Sequence, residues 1–157
     1  MYNYTFFHGS ALVRLVQDRR TKGITLYSGN NSYLVNNIAC IYLKHCTKRL
    51  TPWSFTFQPE HIREIAEIRK NIGNTYIVLI CSDDGICCLN YYELSQLVFI
   101  GDFNKSKHIR VSRSPREKYE VDGKLKYKIG DSDFPRKIFS INRPSGGDAG
   151  TAGVFGR

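Results

Sequence analysis

The chain has 157 residues, which fits one domain of ordinary size with a single hydrophobic core. Hydrophobic residues make up 41% of the sequence and aromatic residues 13%, as in folded proteins, and no apolar run approaches the ~20 residues that cross a membrane. The first ten residues do not combine a basic stretch with an apolar stretch, so we expect no secretion signal and a soluble, cytoplasmic protein.

The formal net charge of +9 is distributed unevenly along the chain. Residues 1–50 contain seven Lys and Arg against one acid (+6), residues 51–100 three against six (−3), and residues 101–157 thirteen against seven (+6). Clustered basic residues favour a polyanionic partner, because each neutralised phosphate releases counterions. Solubility alone is the alternative explanation of this charge.

In the N-terminal part, the sequence predicts one helix followed by an antiparallel meander. Ser10 can cap a helix whose apolar face is formed by Leu12, Leu15 and Val16. Strands are predicted at 23–29, 32–35 and 38–45, with Asn36 and Asn37 at the turn between the last two. The segment 52–57 alternates Trp53, Phe55 and Phe57 with polar residues, and we expect it to extend the same sheet with Trp53 in the core.

The clearest predicted helix spans residues 59–72. It begins at Pro59, carries a stripe of isoleucines, and ends at Gly73. A continuous apolar strand at 75–82 has the pattern of a central strand covered on both faces, and 85–89 is predicted to be its hairpin partner. Asn90 and Glu93 have the spacing of a capping box for a short third helix.

Composition suggests a division into three parts. Residues 1–100 form the predicted α/β core, residues 101–140 a basic, β-rich extension packed on it, and residues 141–157 a flexible glycine-rich tail. Within the extension, strands are predicted near 109–113, 118–121 and 125–129.

The five cysteines are odd in number and lie in or beside predicted strands, so we interpret them as reduced core residues. They are Cys40, Cys46, Cys81, Cys87 and Cys88. On a strand His45 would face away from Cys40 and Cys46, which argues against a zinc site there.

The order of these elements, αβββ(β)αββα, resembles that of the restriction-endonuclease-like, or PD-(D/E)XK, nucleases and, among them, the Holliday junction resolvases. The likeness covers roughly residues 9–98 and includes the stretches "IYLKHCTK" and "FTFQPEHIREIAEIRKNIGNTYIVLICSDDGICCL". It implies a single α/β domain with a mixed sheet flanked by helices. The pattern "YLVN…YLKHCTKRLTPWSFTF…H" is also similar to one in small uncharacterised bacterial proteins, which implies no function.

In such nucleases an Asp on the second strand and the Glu of a Glu-x-Lys motif bind Mg²⁺, while the lysine steadies the attacking water or the phosphate. The resemblance places Lys44 at the lysine position, but Tyr42 stands where the Glu would be, and Asn36 and Asn37 are offered in place of the Asp. We therefore expect no metal cofactor and no metal-dependent cleavage. The alternative is an active nuclease that uses Mg²⁺ and a carboxylate displaced onto the following helix, Glu60 or Glu64.

Three clusters of basic residues are candidate contacts to nucleic acid, with DNA favoured. They are Lys44, Lys48 and Arg49; Arg19 and Arg20 with Arg14 and Lys22; and Arg110, Arg113 and Arg116 with His108 and Lys118. The predicted function is nucleic-acid binding on a nuclease-like fold, as an accessory subunit of a larger complex in phage defence or genome maintenance. A protein-interaction module that binds an acidic partner remains a further alternative.

Overall fold

The computed structural model describes residues 4–98 and 104–140. Its helices and strands are, in chain order, α1 (Tyr4–Val16), β1 (Ile24–Ser28), β2 (Ser32–Val35), β3 (Ala39–Cys46), β4 (Trp53–Phe57), α2 (Pro59–Ile72), β5 (Asn74–Cys81), β6 (Gly85–Asn90), α3 (Tyr91–Leu97), β7 (Lys107–Ser112), β8 (Glu120–Val121), α4 (Asp133–Arg136) and a 3₁₀ helix (Lys137–Ser140).

The larger sheet has five strands in the order β1-β2-β3-β5-β6. β1, β2 and β3 form the predicted antiparallel meander, and β6 is the antiparallel hairpin partner of β5. β3 and β5 run parallel, with Ala39 beside Asn74 and Cys46 beside Cys81. A parallel pair requires a crossover connection, and α2 lies in the segment that supplies it. The predicted fold class, one α/β domain with helices flanking a mixed sheet, is confirmed.

The prediction that residues 52–57 extend this sheet is wrong. β4 belongs to a separate three-stranded sheet with the order β4-β7-β8, in which Trp53 lies beside Val111 and Phe57 beside Lys107. The buried face of β4 packs with α2 against one face of the large sheet, in the same hydrophobic cluster as Tyr42. Trp53 is buried as predicted. β4 lies on a face of the large sheet and not at its edge, so its backbone cannot pair with that sheet and pairs instead with β7 from the C-terminal part of the chain.

The first helix begins earlier than its sequence suggests. α1 starts at Tyr4, and Ser10 lies inside the helix, where its hydroxyl donates to the carbonyl of Phe7 at 2.8 Å. The prediction of Ser10 as the N-cap is therefore wrong. The buried face is formed by Phe7, Ala11 and Leu15, which follow the helical spacing and cover the second face of the large sheet.

The turn after β2, the end of α2 and the start of α3 agree with the sequence. Asn36 and Asn37 both adopt left-handed backbone conformations, with φ of 55° and 59°. Gly73 ends α2 with φ of 88°, and the Asn90–Glu93 capping box starts α3. β5 is buried over seven of its eight residues, as expected for a strand covered on both faces.

The C-terminal segment is less regular than predicted. The strands expected near 109–113 and 118–121 correspond to β7 and the two-residue β8. The strand expected at 125–129 is reduced to a single bridge between Tyr119 and Ile129. The residues preceding Ile129 alternate exposed lysines with the partly exposed Leu125 and the exposed Tyr127, and they bury too little apolar surface to add a strand. The proposed domain boundaries stay a prediction, and the tail at 141–157 lies outside the described residues.

Candidate functional site

Two side-chain contacts join the end of β3 to the start of α2. Tyr42 and Lys44 are alternate residues on the face of β3 that turns toward α2, and His61 and Glu64 lie one turn apart on that helix. The Tyr42 hydroxyl donates to Glu64 Oε1 at 3.0 Å. Lys44 Nζ lies 3.2 Å from His61 Nδ1. These four side chains form a compact polar group, which we call the β3–α2 cluster.

The backbone at the start of α2 fixes the protonation of His61. Its Nδ1 accepts the backbone N–H of Gln58 at 3.1 Å as part of the helix cap. Because a backbone nitrogen can only donate, Nδ1 carries no proton, and Lys44 is the donor of its contact with the ring. Burial and the neighbouring Lys44 lower the pKa of His61, which favours the neutral ring.

Lys44 is half-buried. Its amine lies 5.1 Å from the centre of the Phe57 ring, and burial lowers the pKa of Lys44 to about 8. Among the described residues, no carboxylate lies within ion-pair distance of its Nζ. Lys44 therefore packs against α2 and Phe57 and does not extend from the strand end into solvent.

The turn between β1 and β2 packs against the β3–α2 cluster, with Gly29 near Glu64 and Asn31 near Tyr42. Tyr42 is fully buried, and its pKa is raised by burial and by Glu64, while the neighbouring Asn31 side chain acts in the opposite direction. Gly29 has φ of 59°, and a Cβ at that position would lie 3.3 Å from Glu64 Oε2. A side chain at Gly29 would thus crowd the carboxylate.

Asn36 and Asn37, which the sequence offers in place of the missing Asp, lie away from Lys44. Val35 lies beside Ala39, so the turn between β2 and β3 is at the opposite end of β3 from Lys44. Asn31, in the turn just before β2, is the amide near Tyr42. Because β2 and β3 are antiparallel, the start of β2 lies beside the end of β3, so a residue just before β2 is the one that comes near Tyr42.

The donor set does not fit a magnesium site of two carboxylates. Glu64 is the one carboxylate that contacts Tyr42, Glu60 lies exposed in the first turn of α2, and the neighbouring Ser32 hydroxyl is bonded to the carbonyl of Ser28. Within residues 4–98 and 104–140 there is no group of three or more His, Cys, Asp or Glu that could hold a metal ion. Mg²⁺ prefers oxygen ligands, commonly one or two carboxylates with further oxygens from substrate. The cluster itself provides one carboxylate, Glu64.

The exposed basic candidates lie in loops and on the small sheet. Lys48 and Arg49 are exposed in the connection between β3 and β4, where the carbonyl of Lys48 accepts the indole N–H of Trp53 at 2.8 Å. Arg110 is on the exposed face of β7, opposite Ser54. Arg116 is exposed in the turn that follows β7.

A concavity of about 280 Å³ opens beside the end of β7. Among the residues that line it are four cations and one acid, namely Arg110, Arg113, Lys118, Lys128 and Glu120. Ser112 and Ser114 add hydroxyls to its wall. We call this the basic concavity. Guanidinium, ammonium and hydroxyl groups together are suited to phosphate oxygens.

Several predicted contact residues already have partners within the chain. Arg113 pairs with Asp84 at 2.8 Å and lies 4.5 Å from the centre of the Tyr119 ring, so it also joins β7 to the β5–β6 turn. Arg20 pairs with Asp18 at 3.0 Å and lies over the Phe139 ring. Their charges are partly compensated. Arg19 is exposed beside them.

The cysteines are core residues, as expected. Four of them are buried, and Cys46 is partly buried. Burial raises the pKa of Cys40 to about 12, so its thiol stays protonated at neutral pH. His45 stacks on Phe7 at 4.5 Å, on the α1 side of the sheet, away from Cys40.

Sequence reasoning did not identify His61, Asn31, Gly29 or Lys128 as site residues. The position of His61 three residues after Gln58 was the available signal for its capping role. Nothing in the sequence indicated that the same ring nitrogen also contacts Lys44, because that contact depends on how α2 packs on β3.

No protein-family model matches the chain, and no curated protein matches it significantly. Among solved structures the chain is similar to that of Hjc, a Holliday junction resolvase from the archaeal hyperthermophile Archaeoglobus fulgidus. The two share 14% sequence identity, the match covers 67% of this chain and 81% of the other, and the TM-score is 0.45. No helix in the described residues is long and apolar enough to cross a membrane.

Proposed function

We propose that the protein binds nucleic acid, and DNA in particular, mainly through the phosphate backbone. The observation that supports this best is the basic concavity, where Arg110 and Lys118 are exposed beside the hydroxyl of Ser112. Lys48 and Arg49 lie in the loop whose last residues, Thr51 and Pro52, line the same concavity, so they extend the basic surface from it. The net charge of +9 favours the same class of partner.

Salt dependence tests this proposal directly. The parent protein and an Arg110→Ala/Lys118→Ala variant are titrated with a fluorescent duplex from ~50 to ~200 mM salt, where phosphate contacts weaken steeply. If both side chains touch phosphates, the slope of log K against log salt becomes shallower by about 2, since each contact contributes roughly 0.9. Sequence preference stays unchanged, because backbone contacts do not distinguish bases.

The matched control removes two exposed lysines that do not line the concavity. A Lys70→Ala/Lys105→Ala variant loses the same formal charge, from the last turn of α2 and from the segment before β7. Its slope should remain close to that of the parent. Equal losses in the two double variants would show that only overall charge matters. A parent that does not bind DNA at ~50 mM salt would leave an acidic protein partner or solubility as the explanation of the basic surface.

We expect no metal-dependent cleavage of intact DNA, because Tyr42 stands where the resemblance places the Glu and Glu64 is the one carboxylate of the cluster. The competing candidate, an active nuclease, is favoured by the contact of Glu64 with Tyr42, at the position where the resemblance places the missing Glu. Plasmid, branched and single-stranded substrates are incubated with Mg²⁺ or Mn²⁺. Cleavage that disappears in Glu64→Ala or Glu60→Ala would establish the nuclease. The larger complex in which the protein would serve as an accessory subunit stays a prediction.

A further inference from the structure

The basic concavity is built by four separate stretches of the chain. They are residues 51–52 before β4, residues 110–114 at the end of β7, residues 118–120 at the start of β8, and Lys128. Hydrogen bonds hold these stretches together: the Thr51 hydroxyl accepts the backbone N–H of Arg113 at 3.0 Å, and Tyr119 and Ile129 exchange two backbone hydrogen bonds of 2.8 Å. The tertiary structure therefore directs the side chains of distant segments into one volume of about 280 Å³.

One cation of the concavity is held in a fixed position. Arg113 uses a single nitrogen, Nη2, for both of its contacts with Asp84, at 2.8 Å to the carboxylate and 3.2 Å to the carbonyl. Its guanidinium also lies 4.5 Å from the centre of the Tyr119 ring, whose hydroxyl donates to the same carboxylate at 2.7 Å. Its Nη1 and Nε have no hydrogen-bond partner among the described residues. The remaining N–H groups of Arg113 are thus ordered in advance and available to an anion.

The other cations of the concavity are weakly compensated. Within residues 4–98 and 104–140, neither Arg110 nor Lys118 has a carboxylate within ion-pair distance. Lys128 lies 3.3 Å from Glu117, but both side chains are about half exposed, and such pairs contribute little. Glu120 is the one acid in the wall, so four cations against it leave a formal excess of +3.

The positive charge does not continue across the exposed face of the small sheet. The neighbour of Arg110 on β4 is Ser54, and on the β8 side Asp122 Oδ1 accepts the backbone N–H of Arg110 at 3.0 Å. Exposed cations do continue along the loop before β4, at Lys48 and Arg49. The basic surface therefore extends from the concavity along that loop, whereas the sheet beside the concavity is neutral or acidic.

We propose that the basic concavity binds the terminal phosphate of a DNA strand, and that the rest of the strand runs along Lys48 and Arg49. This rests on the proposed function and names the part of the DNA that the concavity takes. An internal phosphate carries one negative charge, and the backbone continues on both of its sides. A terminal phosphate carries about −1.5 to −2 at pH 7 and offers three acceptor oxygens. A concentrated positive charge, from which basic surface leads away along one loop, suits the terminal group.

Duplexes that differ only at their ends test the proposal. One sequence with an internal fluorophore is prepared with a 5′ phosphate, with a 3′ phosphate, with hydroxyl groups at every end, and with both ends closed by hairpin loops. The full chain should bind one of the phosphorylated duplexes on the order of tenfold more tightly than the hydroxyl-ended duplex, because hydrogen bonds between ionised groups are the strong ones. The two phosphorylated duplexes distinguish a 5′ from a 3′ terminus.

Variants connect this preference to the concavity. Arg110→Ala/Lys118→Ala should bind the phosphorylated and hydroxyl-ended duplexes equally, whereas the matched control Lys70→Ala/Lys105→Ala should keep the preference, because neither of its lysines lines the concavity. Glu120→Gln should bind the phosphorylated end about threefold more tightly at low salt, because a like charge is removed from the wall. Such a gain in affinity cannot result from misfolding.

Failure of this proposal and failure of DNA binding are distinguishable. If the parent binds all four duplexes with equal affinity, the assignment of the terminal phosphate is wrong while the binding function stands. A preference that persists in Arg110→Ala/Lys118→Ala, or a Glu120→Gln variant that binds the phosphorylated end no more tightly than the parent, would also overturn the assignment. If the parent binds none of the duplexes at ~50 mM salt, both proposals are wrong.

Discussion

Removing the buried carboxylate of Glu93 should lower the stability of the fold strongly, because this side chain joins α3 to the C-terminal segment. It is 3% exposed. Its Oε1 accepts Lys137 Nζ at 2.9 Å and the backbone N–H of Asn90 at 2.8 Å, and its Oε2 accepts the Tyr127 hydroxyl at 2.7 Å. Lys137 also donates to the carbonyl of Cys88 at 2.8 Å. Glu93→Ala would leave this lysine largely buried without its counter-charge.

The cost can be estimated from these contacts. Breaking a buried ion pair by removing one partner costs about 3 kcal/mol at the lower end of the measured range, which suits a lysine side chain that is 18% exposed. The lost bond to the N–H of Asn90 adds about 1 kcal/mol. Unfolding free energy should therefore fall by about 4 kcal/mol, and the melting temperature by roughly 12 °C for a chain of this size.

Urea denaturation followed by circular dichroism measures this effect. Glu93→Gln, which keeps the shape but not the charge, should lose about 2 kcal/mol, and adding Lys137→Met should recover part of that loss because no buried charge is then left unpaired. Glu67→Ala is the matched control: it removes an exposed carboxylate from α2 and should change stability by less than about 0.5 kcal/mol. A Glu93→Ala variant as stable as Glu67→Ala would refute the reasoning, as would strictly additive effects of Glu93→Gln and Lys137→Met.

Three other predictions concern stability. Between about pH 8 and the ordinary lysine pKa of 10.5, Lys44 binds fewer protons in the folded than in the unfolded chain, so the unfolding free energy rises with pH. The unfolding free energy of the parent minus that of Lys44→Met should therefore increase across this pH range. A constant difference would contradict this. Gly85→Ala should cost about 2 kcal/mol, because the new Cβ would lie 2.5 Å from the Tyr119 hydroxyl and 2.6 Å from Asp131 Oδ1; an unchanged urea midpoint would show that these groups move aside. Asn36→Ala should lower the unfolding free energy by about 2 kcal/mol, because the Asn36 side chain hydrogen-bonds three backbone groups of residues 20–23 and the position has φ of 55°. A melting temperature equal to that of the parent would disprove this.

Much of the local structure could be predicted because neighbouring residues determine it. Pro59 and Gly73 mark the beginning and the end of α2, and its isoleucine stripe follows the helical period. The turn at Asn36 and Asn37 requires left-handed backbone that asparagine tolerates. The apolar run of β5 could only be a strand covered on both faces. Lys44 was likewise placed correctly on the strand before the crossover.

The partners of these elements were decided by tertiary structure. Alternation in β4 predicted one buried face but could not identify its pairing with β7, because strand pairing depends on which edge is free once the core has packed. The start of α1 was missed because packing of Phe7 against the large sheet extends the helix beyond the apparent cap at Ser10. The β3–α2 cluster arises in the same way. The sequence determined that Tyr42 and Lys44 share one face of a strand, whereas only the packing of α2 brings Glu64 and His61 within hydrogen-bond distance of them, since side chains from separate elements meet by three-dimensional geometry and not by spacing along the chain.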